Sequence, residues 1–248
     1  MTCRKDYILC AMEAGFIILV LTYFVTGASP SVKSGFGNKW ESFTNIIISA
    51  DILSEVSDIL SRVTCVSLCL KNEACVSVFY RQQHRRCQLH DVVFLSPQDG
   101  QEEAGTVYYS LTAGACPSGY VHNRLLNFCY QLHLDKLLYD DGLADCTARG
   151  EHFVVIDSAD KQNHVVKQIT SSSDSKVSSY YFDGSDATNE GQWVFHDGRP
   201  MTYFAWSPSF PVNLTNKHYV VASKASNAFL WQDRKKAETK YYICEKDI

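Results

Sequence analysis

The cysteines constrain this chain more than any other feature of its sequence. The chain has 10 cysteines, and two of them, Cys3 and Cys10, lie in an N-terminal targeting segment. An even number of remaining cysteines is typical of a disulfide framework in a secreted protein, with about a hundred conceivable pairings. Zinc ligation is the alternative, but the sequence lacks paired Cys-x-x-Cys units and an oxidising compartment disfavours free thiolates. The cysteines predicted to form disulfides are Cys65, Cys69, Cys75, Cys87, Cys116, Cys129, Cys146 and Cys244.

The N-terminal segment places the chain in the secretory pathway. Arg4 and Lys5 precede the apolar stretch GFIILVLTYFV (residues 15–25), and small residues follow it at 27–29. A positive region, a short apolar region and then small residues are typical of a signal peptide. We therefore expect residues 1–27 to be a cleaved signal peptide and the mature protein to be secreted.

An uncleaved signal anchor is the alternative. The segment from Tyr7 to Val25 is long enough for a thin bilayer, given a threshold of about 18 residues. Glu13 interrupts it, and a carboxylate near the centre of a span costs about 2.5 kcal/mol or more. Cleavage is therefore favoured, with a single-pass type II membrane protein as the alternative and membrane contact only in that form. Residues 28–41 then form a linker outside the membrane.

The composition is that of a globular chain with sizeable cores. Of the 248 residues, 46% are hydrophobic and 20% are charged, with a formal net charge of −4; this suits one large domain or two small ones. The pI is about 6.0, so no basic field argues for a nucleic-acid partner. The sequence has no nucleophile elbow, phosphate-binding loop, His-Glu-x-x-His motif or EF-hand. We therefore expect no catalytic site and no enzyme activity.

Two small domains fit the cysteine spacing better than one large domain. Four cysteines crowd into residues 65–87, and four spread over 116–244. The polar, turn-rich stretch SPQDGQEEAG and the β-prone TVYYSLT lie between them, which indicates a seam near residues 112–115. The prediction is an α+β chain of two small disulfide-rich modules, at residues 42–112 and 116–248.

The first cysteine group combines a helix with strands. Cys65 and Cys69 are four residues apart, which places both on one face of a helix, and CVSVFY has the alternation of a strand. The segment CVSLCLKNEACVSVFYRQQHRRCQL resembles the PAN/apple family, in which Cys-x3-Cys is followed by a third cysteine, an aromatic strand and Cys-x-Leu. The resemblance implies a helix on an antiparallel sheet, with the bridges Cys65–Cys87 and Cys69–Cys75.

The second group contains a hairpin, a helix and a closing strand in the segments CPSGYVHNRLLNFCY, DDGLADCTARG and YYICEK. Between the helix and the closing strand lie other spaced features, namely Glu190-Gly191, Trp193, Asp197-Gly198, Trp206, Trp231 and Asp233. Together these resemble a long-form C-type lectin-like domain. The resemblance implies the bridges Cys116–Cys129 and Cys146–Cys244, and a ligand that is an extracellular protein or glycan.

The usual third bridge of that family is missing. Its cysteines would fall near Tyr219 and Lys236, and neither residue is a cysteine. Such a bridge anchors the long loop and contributes about 2–4 kcal/mol. We therefore expect the packing of Tyr219, Phe229 and Trp231 to hold this region instead.

The long loop also lacks the carboxylates of a calcium-dependent sugar site. Sugar-binding members of the family carry Glu-Pro-Asn or Gln-Pro-Asp, where this chain has Phe210-Pro211-Val212. Lys217 replaces the acidic residue before the lost cysteine, and the second ligand segment retains only Gln232 and Asp233. Ca²⁺ takes about six to eight oxygen ligands, several of them carboxylates. The sequence therefore predicts no calcium, no other metal and no cofactor.

Cationic residues stand where calcium ligands would lie. They indicate a candidate site for anionic glycans, with a solvated turn as the alternative. The candidate ligand-binding residues are Lys217, Gln232, Asp233, Arg234, Lys235 and Lys236. The sequon Asn213-Leu214-Thr215 lies in the same loop, and we expect a glycan on Asn213.

The leading functional hypothesis is extracellular recognition of a protein or glycan through the C-type lectin-like module, without calcium. One alternative is a carbohydrate-binding lectin that uses a non-standard or anionic-sugar site. The other is a type II membrane-anchored receptor. Similar folds host many specificities, so the fold does not identify the ligand.

Overall fold

The structure is a computed structural model, and it describes residues 9–11, 16–22, 32–172, 178–212, 214, 216–224 and 228–248. The chain forms two compact units that divide between Cys129 and Tyr130. Each unit combines helix with sheet, which confirms the predicted α+β class. Among the helices of the described ranges, none is both long and apolar enough to cross a membrane.

The first unit is built on an antiparallel sheet with a helix on it. Its strands are β1 (Leu9–Ala11), β2 (Phe16–Thr22), β3 (Val32–Lys39), β4 (Ile46–Ile47), β5 (Ile52–Val56), β6 (Ser77–Arg81), β7 (Arg86–His90), β8 (Gln101–Glu102), β9 (Thr106–Ala113) and β10 (Val121–Asn123). Its helices are a short 3-10 helix (Glu41–Phe43) and α1 (Arg62–Lys71). The main sheet has the order β1-β2-β3-β9-β6-β7-β5, and β4 pairs with β8 separately.

Helix α1 begins at a side-chain cap and packs closely on the sheet. Ser61 Oγ accepts a hydrogen bond from the Thr64 N–H at 3.1 Å, which satisfies one of the free donors of the first turn. The buried face of α1 carries Val66 and Leu70 beside two cysteines. A Cβ atom on Gly35 of β3 would lie 2.8 Å from Leu70 Cδ1. The missing side chain at Gly35 therefore lets the helix approach the strand.

The disulfides of the described residues are buried, and two of them join a helix to a strand. The pairs are those that the two family resemblances imply, namely Cys65–Cys87, Cys69–Cys75, Cys116–Cys129 and Cys146–Cys244. None of these cysteines is more than 5% exposed. The first pair ties α1 to β7, and the last ties a helix of the second unit to its closing strand.

Strand β3 corrects the predicted linker at residues 28–41. Val32–Lys39 pairs with β2 on one side and with β9 on the other, and Trp40 Nε1 then donates a hydrogen bond to Ser110 Oγ at 2.9 Å. Two glycines and no alternating apolar pattern gave this segment little strand propensity, so its pairing partners decide its structure. The predicted signal peptide stays a prediction.

The hairpin closed by Cys116 and Cys129 packs within the first unit. Arg124 Nη2 donates hydrogen bonds to the carbonyl oxygens of Cys69 and Asn72 at 2.8 and 2.7 Å. These carbonyls lie at the C-terminal end of α1, where a cation is favourable. Burial lowers the pKa of Arg124 to about 10. The sequence predicts the same hairpin as the start of the second module, and those domain limits stay predictions.

His90 makes the first unit sensitive to acid. Its ring lies against Phe79 and Phe94, with centroids 5.5 and 5.2 Å apart, and burial lowers its pKa to about 4. An unfolded chain restores the imidazole pKa to about 6.5. Between pH 7 and pH 4, the unfolded state therefore binds more protons at His90 than the folded state does. We expect the free energy of unfolding to fall by about 3 kcal/mol on this account between pH 7 and pH 4.

Urea unfolding at pH 7 and at pH 4 measures this effect. His122 adds to the total fall, because burial also lowers its pKa to about 4. His90→Gln should reduce the fall by the share of His90, whereas His84→Gln is a matched control because the His84 side chain is 53% exposed. An equal fall in all three proteins would contradict the assignment to His90.

The second unit contains a sheet with two helices among its described residues. Its strands are β11 (Phe128–Leu137), β12 (His152–Phe153), β13 (Ser179–Ser185), β14 (Tyr219–Ser223), β15 (Leu230–Arg234) and β16 (Lys240–Glu245), and its helices are α2 (Tyr139–Ala148) and α3 (Ala159–Ser172). The order β11-β16-β13-β14-β15 is antiparallel except at β13–β16, and β12 also pairs with β16.

Aromatic rings fill the core between α2 and this sheet. Tyr139 of α2 meets Phe153 and Tyr181 edge-on, with centroids 5.2 and 5.3 Å apart. The Cys146–Cys244 bridge belongs to the same buried cluster. Strands β13, β14 and β15 belong to this sheet, and the predicted binding residues lie just before β14, in β15 and just after β15.

Candidate functional site

Tryptophan packing anchors the long segment between β13 and β14. Trp206 meets Trp193 and Trp231 edge-on, with centroids 4.9 and 5.9 Å apart. The Ser207 N–H donates to the Trp231 carbonyl at 2.8 Å, and the Trp231 N–H donates to the Ala205 carbonyl at the same distance. Trp231 is 1% exposed. Packing and backbone pairing thus hold the region from which the third bridge of the family is missing.

Residues 203–212, the aromatic loop, present rings to solvent on this buried support. Phe204 is 40% exposed and stacks nearly parallel on Trp206, with centroids 5.9 Å apart. Phe210 is half-buried, and the Arg234 guanidinium lies over its ring at 5.6 Å. Exposed aromatic rings on a rigid support lose little conformational entropy when they bind a partner.

Asp233, the strongest oxygen ligand that the sequence retains, is turned into the protein. The residue is fully buried, and its Oδ1 accepts a hydrogen bond from the Val212 N–H at 3.0 Å. Its Oδ2 is also buried and has no hydrogen-bond partner among the described residues. The carboxylate therefore fastens the aromatic loop to β15.

The residues at this position do not fit a calcium shell. Ca²⁺ needs about six to eight oxygen ligands, and Asp233 has one carboxylate oxygen left. The neighbouring Gln232 Oε1 already accepts a hydrogen bond from Arg234 Nη2. Phe210-Pro211-Val212 contributes no side-chain oxygen.

The structure ties two of the four predicted cations to other groups. Lys236 Nζ lies 2.8 Å from Asp140 Oδ2, and this hydrogen bond raises the pKa of Lys236. Arg234 is held by Gln232 and Phe210. Lys217 is half-buried and Lys235 is exposed. An anion at this surface would therefore compete with Asp140 for Lys236.

Two family models match the chain. A PAN domain matches residues 39–113 and a Lectin C-type domain matches residues 135–246. A tetranectin-like protein of Carcharhinus perezii is 31% identical over 121 residues, which cover 47% of this chain and 69% of the relative. This chain belongs to the C-type lectin domain family. The predicted order, a PAN domain followed by a C-type lectin domain, is confirmed.

Other relatives match about half of the chain. C-type lectin domain family 17, member A, of Homo sapiens is 28% identical over 131 residues, which cover 53% of this chain but only 32% of that relative. The chain therefore spans about a third of that relative's length. Among solved structures, the mouse scavenger receptor C-type lectin carbohydrate-recognition domain is 25% identical, with a TM-score of 0.46 over 53% of this chain and 96% of that one.

The predicted glycosylation site lies outside the described residues. Asn213 and Thr215 of the sequon are not described, and Leu214 between them is 50% exposed. The glycan on Asn213 therefore stays a prediction for this C-type lectin family member.

The C-type lectin domain also contains a cluster that the sequence did not reveal. His218 Nδ1 lies 3.0 Å from Asp186 Oδ1 and 3.5 Å from Glu190 Oε2. Asp186 and His218 are 32 residues apart, so no local pattern joins them. The sequence signal for this cluster was the four-residue spacing of Asp186 and Glu190. That spacing indicates a cluster only when the position of His218 is known.

His133, Asp145 and Cys244 form a second cluster of side chains of the types that ligate metals, but the role of this cluster is structural. Cys244 is bonded to Cys146, so it offers no thiolate to a metal. Arg149 donates to Asp145 Oδ2 at 2.9 Å and to Cys244 Sγ at 3.0 Å. The grouping therefore braces the end of α2 against β16.

Proposed function

We propose that this protein is an extracellular recognition protein whose C-type lectin domain binds a protein or glycan without calcium. The observation that carries the proposal is the burial of Asp233, whose Oδ1 accepts a hydrogen bond from the Val212 N–H. The Asp233 carboxylate, which is the one strong oxygen ligand that the sequence retains at this position, therefore stabilises the fold. The aromatic loop is then the surface that meets the ligand.

The covalent framework supports an extracellular location. Eight buried cysteines form disulfides in the described residues, and disulfides of this density persist in oxidising compartments. Secretion after cleavage of residues 1–27 is part of the proposal, and cleavage would remove strands β1 and β2 and leave β3 paired with β9. The relatives are named as lectins and as a tetranectin-like protein, which supports a binding protein rather than an enzyme.

The exposed ring of Phe204 is the feature of the aromatic loop that is best placed for contact. It stands on Trp206, which stands in turn on the buried Trp231. Such a ring can stack on a sugar face or fill an apolar pocket of a protein. Arg234 over Phe210 adds a positive charge at the same loop, which favours ligands that carry an acidic group.

Binding to a glycan array and to a panel of extracellular proteins, with calcium and in chelator, tests this function. We expect binding in both conditions. Phe204→Ser should weaken the affinity about tenfold, which corresponds to the loss of about 1.4 kcal/mol. Leu134→Ser is the matched control, because Leu134 is 53% exposed in the same unit and lies outside the aromatic loop.

Two results would overturn the proposal. Binding that is lost in chelator and restored by Ca²⁺ would mean that a calcium site carries recognition. Binding that is equally strong in Phe204→Ser and in the native protein would remove the aromatic loop from the contact. Selective chelator-resistant binding to sulfated glycans would support the proposal and identify the ligand class as anionic.

A further inference from the structure

Strand β3 has a neighbour on its outer side that the proposed processing would remove. Strand β2 pairs with β3 along its whole length and antiparallel to it, from Phe16 opposite Asn38 to Thr22 opposite Val32. Strands β1 and β2 both lie within residues 1–27, the predicted signal peptide. In the mature protein the sheet would therefore end at β3, with β9 on its inner side.

The backbone groups of β3 alternate between its two neighbours. Just after β3, the Trp40 N–H donates to the Tyr108 carbonyl of β9 at 3.1 Å, and the direction of these groups reverses at each residue of an antiparallel strand. The N–H and C=O groups of Lys39, Gly37 and Gly35 therefore point toward β2. Loss of β2 exposes them as a row of unpaired donors and acceptors, which is a template for another strand.

The mature chain would have too little sequence before β3 to cover this edge. Cleavage after residue 27 would leave residues 28–31 ahead of Val32, the first residue of β3. A hairpin partner needs a turn of about two residues and then a strand of at least about three. Residues 28–31 do not provide both, so a strand of another chain is needed to pair with this edge.

The β3 edge lacks the features with which proteins protect the edges of sheets. Its register is unbroken with both neighbours, it contains no proline, and Lys33 and Lys39 lie near its ends. Strand β5, at the opposite edge of the sheet, has a register shift between Ile52 and Ser54 and also carries the charged Glu55. Bulges, prolines and charges within an edge strand deter pairing. Of the two edges, β3 is therefore the one that is open to a partner.

A second copy of β3 fits this edge. Two strands related by a two-fold axis perpendicular to the sheet run antiparallel, which is also the direction of β2 on β3. Pairing centred on Gly35 places Lys33 opposite Gly37 of the second copy, so no two lysines meet. Like charges that are directly opposite would destabilise the pair. The Phe36 rings of the two copies then become diagonal neighbours on one face, within reach of aromatic contact.

Phe36 is free to make this contact. Gly35 and Gly37 lie under α1, because a Cβ on them would be 2.8 Å from Leu70 Cδ1 and 3.1 Å from Val66 Cγ1. Successive side chains of a strand point to opposite faces, so Phe36 points away from the helix. Its side chain is 40% exposed even with β2 beside it.

We propose that the secreted protein forms a two-fold dimer in which the β3 edges of two copies pair antiparallel and join the two sheets. The proposal rests on the cleavage that is part of the proposed function, and it is independent of the aromatic loop. A pairing of eight residues is small beside the standard interface of about 1,600 Å², so the dimer should dissociate on dilution. The dimer carries two C-type lectin domains, and linked binding sites raise the avidity for a ligand with repeated units.

Sedimentation velocity of the secreted protein, together with sequencing of its N-terminus, tests the proposal. We expect an N-terminus near residue 28 and a monomer–dimer equilibrium between about 1 and 100 µM, as suits a small interface. Phe36→Lys should raise the dimer dissociation constant about tenfold or more, because two ammonium groups then meet beside the axis. A mixture of Phe36→Lys and Phe36→Glu should associate again as a heterodimer, which also shows that both variants fold.

The matched control is Leu53→Lys. Leu53 is 37% exposed on β5, at the opposite edge of the same sheet, so this substitution should leave the dimer unchanged.

Three results would overturn the dimer. One is an N-terminus that retains residues 16–22, because β2 would then still cover the edge. Another is a cleaved protein that stays monomeric at about 100 µM. The third is a dimer that Leu53→Lys disrupts and Phe36→Lys does not. None of these results depends on calcium or on ligand binding, so they are distinct from a failure of the proposed recognition.

Discussion

Replacing both Cys146 and Cys244 with alanine is expected to destabilise the second unit by about 4–5 kcal/mol. The bridge closes a loop with a sequence separation of 98 residues, and the loss of loop-closure entropy from the unfolded state grows with loop length. Both cysteines are fully buried, so the substitution also leaves small cavities beside Phe153 and Tyr242. Many small domains have a total stability of about 5–15 kcal/mol, so a large fraction of the protein should fail to be secreted at 37 °C.

The secreted yield and the urea midpoint of the double variant measure this effect. Removal of Cys116 and Cys129 is the matched control, because that bridge spans only 13 residues and should cost about 3 kcal/mol on the same entropic account. Tryptophan fluorescence separates the two units, since Trp40 lies in the first unit and the other three tryptophans lie in the second. Equal losses in both double variants would contradict a contribution that depends on loop length.

Trp231→Ala is expected to cost about 3–5 kcal/mol, the range for truncation of a large buried ring. Trp231 Nε1 donates to Gln162 Oε1 at 2.9 Å, and Gln162 is 5% exposed. The substitution therefore leaves a buried acceptor without its donor as well as a cavity. It also removes the support of Trp206, so the aromatic loop should lose its order and its ligand affinity together.

Urea unfolding followed by circular dichroism measures the cost of Trp231→Ala without relying on the ring that has been removed. Trp231→Phe keeps an aromatic ring in the core but loses the indole N–H and part of the buried ring, so its cost should lie between about 1 kcal/mol and the cost of Trp231→Ala. Phe204→Ala removes an exposed ring of the same loop. It should therefore lower the free energy of unfolding by much less than the substitutions of Trp231 do. A loss below about 1 kcal/mol in Trp231→Ala would mean that this tryptophan does not replace the missing bridge.

The order of the two modules and their fold class were predictable, because each module contains motifs whose residues have a fixed spacing. Cys65 and Cys69 on one helical turn, and the features around Trp231 and Cys244, specify which family each half resembles. The same spacing identified the missing carboxylates at Phe210-Pro211-Val212. The packing that the resemblance led us to expect of Trp231 is observed, since Trp231 is 1% exposed.

The candidate site was less predictable, because side-chain direction and strand register are not local. Lys236 was expected to join a cationic cluster, yet it pairs with Asp140, 96 residues away. Asp233 was expected to remain a ligand, yet it binds the backbone of Val212. Val32–Lys39 was expected to be a linker, yet its glycines fit beneath α1 and its backbone pairs on both sides.

The sequence by itself determined the covalent framework, the two families and the loss of the usual calcium ligands, because each depends on residue identity at a fixed position. Only the tertiary structure decided which side chains meet. It turned Asp233 inward, and it brought Asp186 and Glu190 to His218 across the ends of two paired strands. Contacts of this kind follow from the register and packing of distant segments, and a linear pattern of residue types does not specify either.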